Sequence, residues 1–141
     1  MELIDEKIFQ NLKEIANRLI VLKRRVAQKY GISLSESNIL CVVLTCEPIM
    51  QSRLGEFCGI DKPATSRIIN KMLKADLIVK NNMKDNRKSS FIKLSQKGRG
   101  LVEKIYIDTE KEKNEFFNVL SVEDKEVALK LMNKVLRLNC E

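Results

Sequence analysis

Eleven basic side chains, Lys62, Arg67, Lys71, Lys74, Lys80, Lys84, Arg87, Lys88, Lys93, Lys97 and Arg99, crowd the stretch from Asp61 to Arg99, where Asp61, Asp76 and Asp85 oppose them. This stretch carries +8 of a net charge of +7, so the remainder of the 141 residues sums to −1. Charge concentrated in this way makes an electrostatic footprint for a phosphate backbone. Other chemistry is poorly provided for. The chain has no His, which removes the commonest general base, the commonest metal ligand and every Ser/His or Cys/His nucleophile pair. Its four cysteines, Cys41, Cys46, Cys58 and Cys140, contain no CxxC pair and are too few and irregular for a disulfide scaffold. We therefore expect no enzyme, cofactor or metal site, and assign no catalytic residue.

The basic groups need elements to aim them. Asp61 is a good N-cap for a helix running to about Ala75, and Pro63 in its first turn forfeits no hydrogen bond. Ile68, Ile69, Met72 and Leu73 form its expected buried side, leaving Pro63, Ser66, Arg67, Asn70, Lys71 and Lys74 outward. A second short helix, Gln51 to Cys58, precedes it across a Gly59-Ile60 turn, the layout of a helix-turn-helix. An outer face beginning with Pro63, Ala64, Thr65 and Ser66 is slim enough for the major groove, where Arg67 can fork to guanine and Asn70 to adenine. Lys71 and Lys74 are placed to meet phosphate, as are Gln51 and Ser52 through side chains and helix-terminal amides.

Strand-type residues follow at 77–80 and 90–94, separated by turn formers from Asn81 to Ser89. Two strands with a basic tip make a wing, expected to pack on the helices through Ile78, Phe91 and Leu94 because a lone hairpin is marginal. In the tip, Arg87 is suited to minor-groove insertion, Asp85 to orienting that Arg or the turn, and Lys84 and Lys88 to flanking phosphates.

The frame reads as mostly α with a small β-hairpin wing. With 44% hydrophobic, 32% charged and 5% aromatic residues and no Trp, the composition is that of one aliphatic, helix-rich domain. Ile4, Ile8, Leu12, Ile15, Leu19, Leu22 and Val26 recur at steps of three and four up to Gly31, giving one long helix with a stripe sustained enough to include a subunit interface. Ser33 or Ser35 can cap the next helix, with Ser33 and Glu36 at capping-box spacing. That helix, through ILCVVL, is apolar nearly all round and suits the centre of a core, and most of the four cysteines read as small buried hydrophobes or free thiols. Ser95 and Ser121 cap two further helices, the latter with Val127, Leu131, Val135 and Leu138 at helical spacing. The charged stretch Asp108 to Glu115 reads as a solvated helix face. MELIDEKIF lacks the apolar core of a signal peptide and nothing is long enough to span a bilayer, so a cytoplasmic protein without membrane partners is expected.

From Leu54 to Gly98, IDKPATSRIINKMLKADLIVK running into DNRKSSFIKLSQKG resembles the winged helix-turn-helix of the MarR family of bacterial transcriptional regulators. The resemblance is carried by the Asp-x-Arg of the wing, Asp85 and Arg87, and by the Leu-(Thr/Ser)-x-x-Gly that ends the strand, Leu94, Ser95 and Gly98. Two positions depart from the pattern: Asp76 stands where a Gly usually ends the recognition helix, and Gly55 where Ala is common.

The resemblance implies a single domain over 1–141, with a winged helix-turn-helix lobe at about 33–98 and dimerisation helices at about 3–30 and 96–139. Ile4, Ile8, Leu12 and Ile15 would face a second copy together with Val127, Leu131, Val135 and Leu138. It implies a homodimeric regulator, a repressor on an inverted-repeat operator in double-stranded DNA, since one recognition helix reads few base pairs. Release by a small aromatic effector is also implied. A thiol-based redox regulator of the same fold and a winged-helix protein-interaction module are the alternatives. The family's metal-responsive branch relies on His ligands, which are missing here.

Overall fold

The computed structural model describes residues 3–83 and 86–138, with backbone alone at 82–83 and 86–89. The elements in order are α1 (Ile4–Lys29), α2 (Leu34–Cys46), β1 (Ile49–Met50), α3 (Gln51–Cys58), α4 (Lys62–Lys74), β2 (Ile78–Met83), β3 (Asn86–Leu94), α5 (Gln96–Phe117) and α6 (Val122–Leu136). The chain divides into two units, Met1–Thr109 and Glu110–Glu141. The architecture is mostly helical with a small antiparallel sheet, as the composition and patterning predict.

In the first unit, every element from α2 to α5 gives a side chain to one core: Ile39, Leu40 and Val43, then Ile49, Leu54, Ile69, Met72, Leu77, Ile78, Ile92, Leu94 and Val102. The sheet has three strands in the order β1-β3-β2, not two. Ile49 pairs with Ile92 and Met50 with Phe91, while β2 pairs with β3 from Ile78↔Leu94 to Met83↔Asn86. The strands therefore run through most of the segment expected as turn, because ladder bonds override the weak strand preference of Asn, Lys and Ser. Ile78, Leu94 and the unforeseen Ile92 are buried, but Phe91 is only half-buried. Alternation along β3 places Phe91 on the face opposite Ile92 and Leu94.

The helix starts follow the predicted caps. Ser33 Oγ accepts from the Glu36 amide at 3.1 Å, but the Glu36 carboxylate accepts instead from Lys71 Nζ, so the capping box is half made. Helix α2 turns one face, Ile39, Leu40 and Val43, into the core and leaves Cys41 and Cys46 exposed, so its apolar girdle is only partly buried. Ser95 Oγ accepts from the Gly98 amide at 2.9 Å, opening α5. In α1, Leu22, Val26 and Ala27 are buried, whereas Ile4, Ile8, Leu12 and Ile15 are exposed. The end of α1 is tied to α5: the Asp108 carboxylate accepts from Lys29 Nζ at 2.8 Å and Tyr30 Oη at 2.5 Å, so Asp108 is more than a solvated charge. These bonds to Asp108 raise both Lys29 and Tyr30 above their ordinary values.

In the second unit, Ser121 and Asp124 form a full capping box at the start of α6. No residue of α6 is buried within the chain, and Val127, Leu131, Val135 and Leu138 are all more than half exposed. The Phe116 and Phe117 rings meet edge to face at 5.0 Å.

Candidate nucleic-acid interface

Helix α3 ends on Gly59, whose φ of +64° provides the left-handed residue that the tight turn requires. Asp61 Oδ1 then accepts from the Ala64 amide at 2.8 Å and starts α4. At the other end Asp76 itself adopts φ +58°, with its amide donating to the Leu73 carbonyl and the Leu77 amide to that of Met72. This is a Schellman ending with Asp in the place of the usual Gly, a conformation that Asp tolerates better than most residues. The departure from the family pattern thus leaves the geometry of the helix end intact.

Pro63, Arg67, Asn70, Lys71 and Lys74 are exposed on α4, and Ala64 and Ser66 are half-buried. Thr65 does not join them. It is 3% exposed and its hydroxyl donates to the Asp61 carbonyl at 2.8 Å. A Cβ on Gly55 of α3 would lie 2.7 Å from Thr65 Oγ1, so the missing side chain at 55 makes the seat into which Thr65 turns. The departure at Gly55 is therefore a close helix-to-helix approach rather than a weakness. Lys71 Nζ lies 2.8 Å from Glu36 Oε1 on α2, a partner 35 residues away in the chain.

A groove of about 520 Å³ connects the beginnings of α3 and α4 with the sheet, and Gln51, Ser52, Lys62 and Ser66 line it. Gln51 Nε2 and Ser66 Oγ approach to 3.4 Å there, joining the two helices of the motif. Lys80 and Ser90 also line this groove, and no motif in the sequence marks either of them. Lys84 and Asp85 lie outside the described residues, as do the side chains of Arg87 and Lys88, whose backbone belongs to β3.

Behind the wing, the Glu47 carboxylate accepts from the Leu94 amide at 2.8 Å and from the Arg99 guanidinium. Burial pushes Glu47 up, but these two partners with Lys93 prevail and hold it below the usual carboxylate value. Gly98 sits against the Leu77 carbonyl, where an added Cβ would fall 1.9 Å from the oxygen. This contact explains why the Leu-Ser-x-x-Gly sequence ends in Gly.

Two short helices on a left-handed turn, the second presenting a polar and basic face beside a three-stranded sheet, define a winged helix-turn-helix. The model of the MarR family matches residues 32–90. Over 96 residues, 67% of this chain, the sequence is 31% identical to the HTH-type transcriptional regulator TcaR of Staphylococcus aureus, and the match spans only 61% of that relative. A Bacillus cereus HTH-type transcriptional regulator is 23% identical over 133 residues, 94% of this chain and 88% of that one. Among solved structures, a Staphylococcus aureus MarR in complex with salicylate and kanamycin superposes with a TM-score of 0.84 at 20% identity, covering 95% of this chain and 91% of the other. A mutant Escherichia coli MarR complexed with operator DNA gives 0.77 at 15% identity, covering 96% and 99%. The chain belongs to the MarR family, which is one of transcriptional regulators rather than enzymes.

Among the described residues no helix is long and apolar enough to cross a membrane, and no group of three or more Cys, Asp or Glu could hold a metal ion.

Proposed function

We propose that this chain is a sequence-specific double-stranded DNA-binding regulator, a repressor that acts in the cytoplasm as a homodimer on an inverted-repeat operator and is released by a small aromatic effector. The observation that carries the reading is the outer face of α4, where exposed Arg67 and Asn70 stand ahead of Lys74 on a helix seated in a packed lobe. In this reading Arg67 and Asn70 read base edges, with Pro63, Ala64 and Ser66 permitting close approach. Gln51, Ser52, Lys74, Lys84 and Lys88 meet phosphate, Arg87 enters the minor groove, and Asp85 orients it. The fold shared with a MarR bound to operator DNA supports this assignment.

The homodimer reading is supported by apolar surface that the single chain leaves open. Ile4 is 73% exposed, Val135 79%, and Ile8, Leu12, Ile15, Val127, Leu131 and Leu138 are exposed with them. The lobe at about 33–98 would then be carried by dimerisation helices at about 3–30 and 96–139. Effector release is supported by the salicylate-bound Staphylococcus aureus structure. Thiol sensing is opposed at half-buried Cys58, where burial raises the thiol above its ordinary value, since a sensor needs a lowered one.

Selection of bound fragments from genomic DNA tests the reading. The expected result is an inverted repeat with half-sites about one helical turn apart. Recovery of no enriched sequence, or sedimentation as a monomer at low micromolar concentration, would refute it. Salicylate added to the operator complex is expected to lower its fluorescence anisotropy.

A further inference from the structure

We propose that Lys71 is a positioning residue of the recognition helix, held by Glu36, and that it does not contact DNA phosphate; the inference rests on the DNA-binding reading and refines it. Glu36 stands in the first turn of α2, its amide fixed by Ser33 Oγ at 3.1 Å, and its side chain is only 8% exposed. Its carboxylate Oε1 is 2.8 Å from Lys71 Nζ on the third turn of α4. Among the described residues, the other cations of α4, Lys62, Arg67 and Lys74, have no such ion pair.

The energetics favour keeping Lys71 where it is. Swinging it to a phosphate would leave a largely buried carboxylate without its partner, which is the costly way to break an ion pair. The replacement contact would gain the release of about one counterion, a term that weakens as salt rises, whereas the pair with Glu36 is made within the protein. Geometry gives the pair its purpose. Lys71 lies one turn beyond Arg67 on the same face and next to Asn70, so anchoring its ammonium to α2 sets the roll of the helix and the direction of both base-reading side chains. Glu36 also offsets the like charges of Arg67, Lys71 and Lys74 along that face.

The test measures operator affinity of the full chain by fluorescence anisotropy across a KCl series, using the duplex recovered by genomic selection and a random-sequence duplex. Lys74→Met is expected to flatten the plot of log affinity against log salt by about 0.9, the loss of one phosphate contact. Lys71→Met is expected to leave that slope unchanged and to reduce preference for operator over random duplex by about tenfold, the lower range of one bidentate base contact. Lys71→Arg, which keeps the ion pair, should restore the preference. Glu36→Gln should steepen the slope by about 0.9 as Lys71 is freed to meet phosphate. A Lys71→Met slope as flat as that of Lys74→Met overturns the proposal. Should Lys71→Met not fold by circular dichroism, Glu36→Gln decides alone, a steeper slope supporting the proposal and an unchanged one overturning it. Failure of the parent chain to bind either duplex is a separate result that overturns the DNA-binding reading and this proposal together.

Discussion

Replacing Gly98 by Ala puts one methyl group against the backbone at the root of the wing. The new Cβ would lie 1.9 Å from the Leu77 carbonyl oxygen and 2.9 Å from its carbon. An ordinary C···O contact is about 3.3 Å or longer, so α5 and the start of β2 must separate by about 1.4 Å. Neither side has a flexible tip to yield. Leu77 O accepts from the Ser95 amide at 3.0 Å, the Leu77 amide donates to Met72 O at 2.9 Å, and Leu77 and Ile78 are buried. Backbone overpacking of this sort costs about 3 kcal/mol, at the upper end of the usual range. A weakened hydrogen bond adds about 1 kcal/mol, and the better helix propensity of Ala returns up to about 1 kcal/mol. The expected net loss is therefore about 3 kcal/mol, read from urea unfolding followed by far-ultraviolet circular dichroism. Gly100 provides the control, being in the same helix with nothing within 4 Å of an added Cβ, so Gly100→Ala should be neutral or stabilising. If the two variants unfold within about 0.5 kcal/mol of each other, a threshold set by ordinary surface substitutions, the close-contact argument is wrong.

Gly55→Ala should cost about 1–3 kcal/mol because its Cβ meets Thr65 Oγ1, and the double variant with Thr65→Ala should cost less than the sum of the singles by the same urea assay. Asp76→Gly should stabilise by up to about 1 kcal/mol, since a left-handed L-residue is strained and the gain is partly offset by the entropy of Gly. Because Glu47 is held below its ordinary value in the folded state, its contribution is fully present above the usual carboxylate range and fades as pH falls through the depressed value. The stability gap between the parent and Glu47→Gln should accordingly shrink in acid. Arg87→Ala should lose about 1–3 kcal/mol of operator binding by anisotropy, and an unchanged affinity would remove the wing from the contact set.

Much of the lobe was legible because local chemistry and tertiary need agree there. Asp61 and Pro63 mark the start of α4, Ser33 that of α2 and Ser121 that of α6, each with a hydroxyl or carboxylate accepting from the amide three residues on. What escaped depends on distant partners. Strand β1 is two residues long, too short to show alternation, and exists because Ile49 and Met50 meet β3. The sequence pattern puts Thr65 outward as part of a short-polar helix start, although Thr65, Ile69 and Met72 at i, i+4 and i+7 trace the buried stripe. The Glu36 to Lys71 pair spans 35 residues, and no spacing rule reaches that far.

The seat at Gly55 and the tether at Glu36 bear on any attempt to retarget this protein by transplanting a recognition helix from a relative. On the proposed reading, two positions of α4 answer to the scaffold and not to the operator: 65 must fit against a residue with no side chain, and 71 must neutralise a largely buried acid. A graft that ignores them inserts a helix with the right alphabet and the wrong aim. On the same reading, the exposed positions 63, 67, 70 and 74 are the ones free to be rewritten.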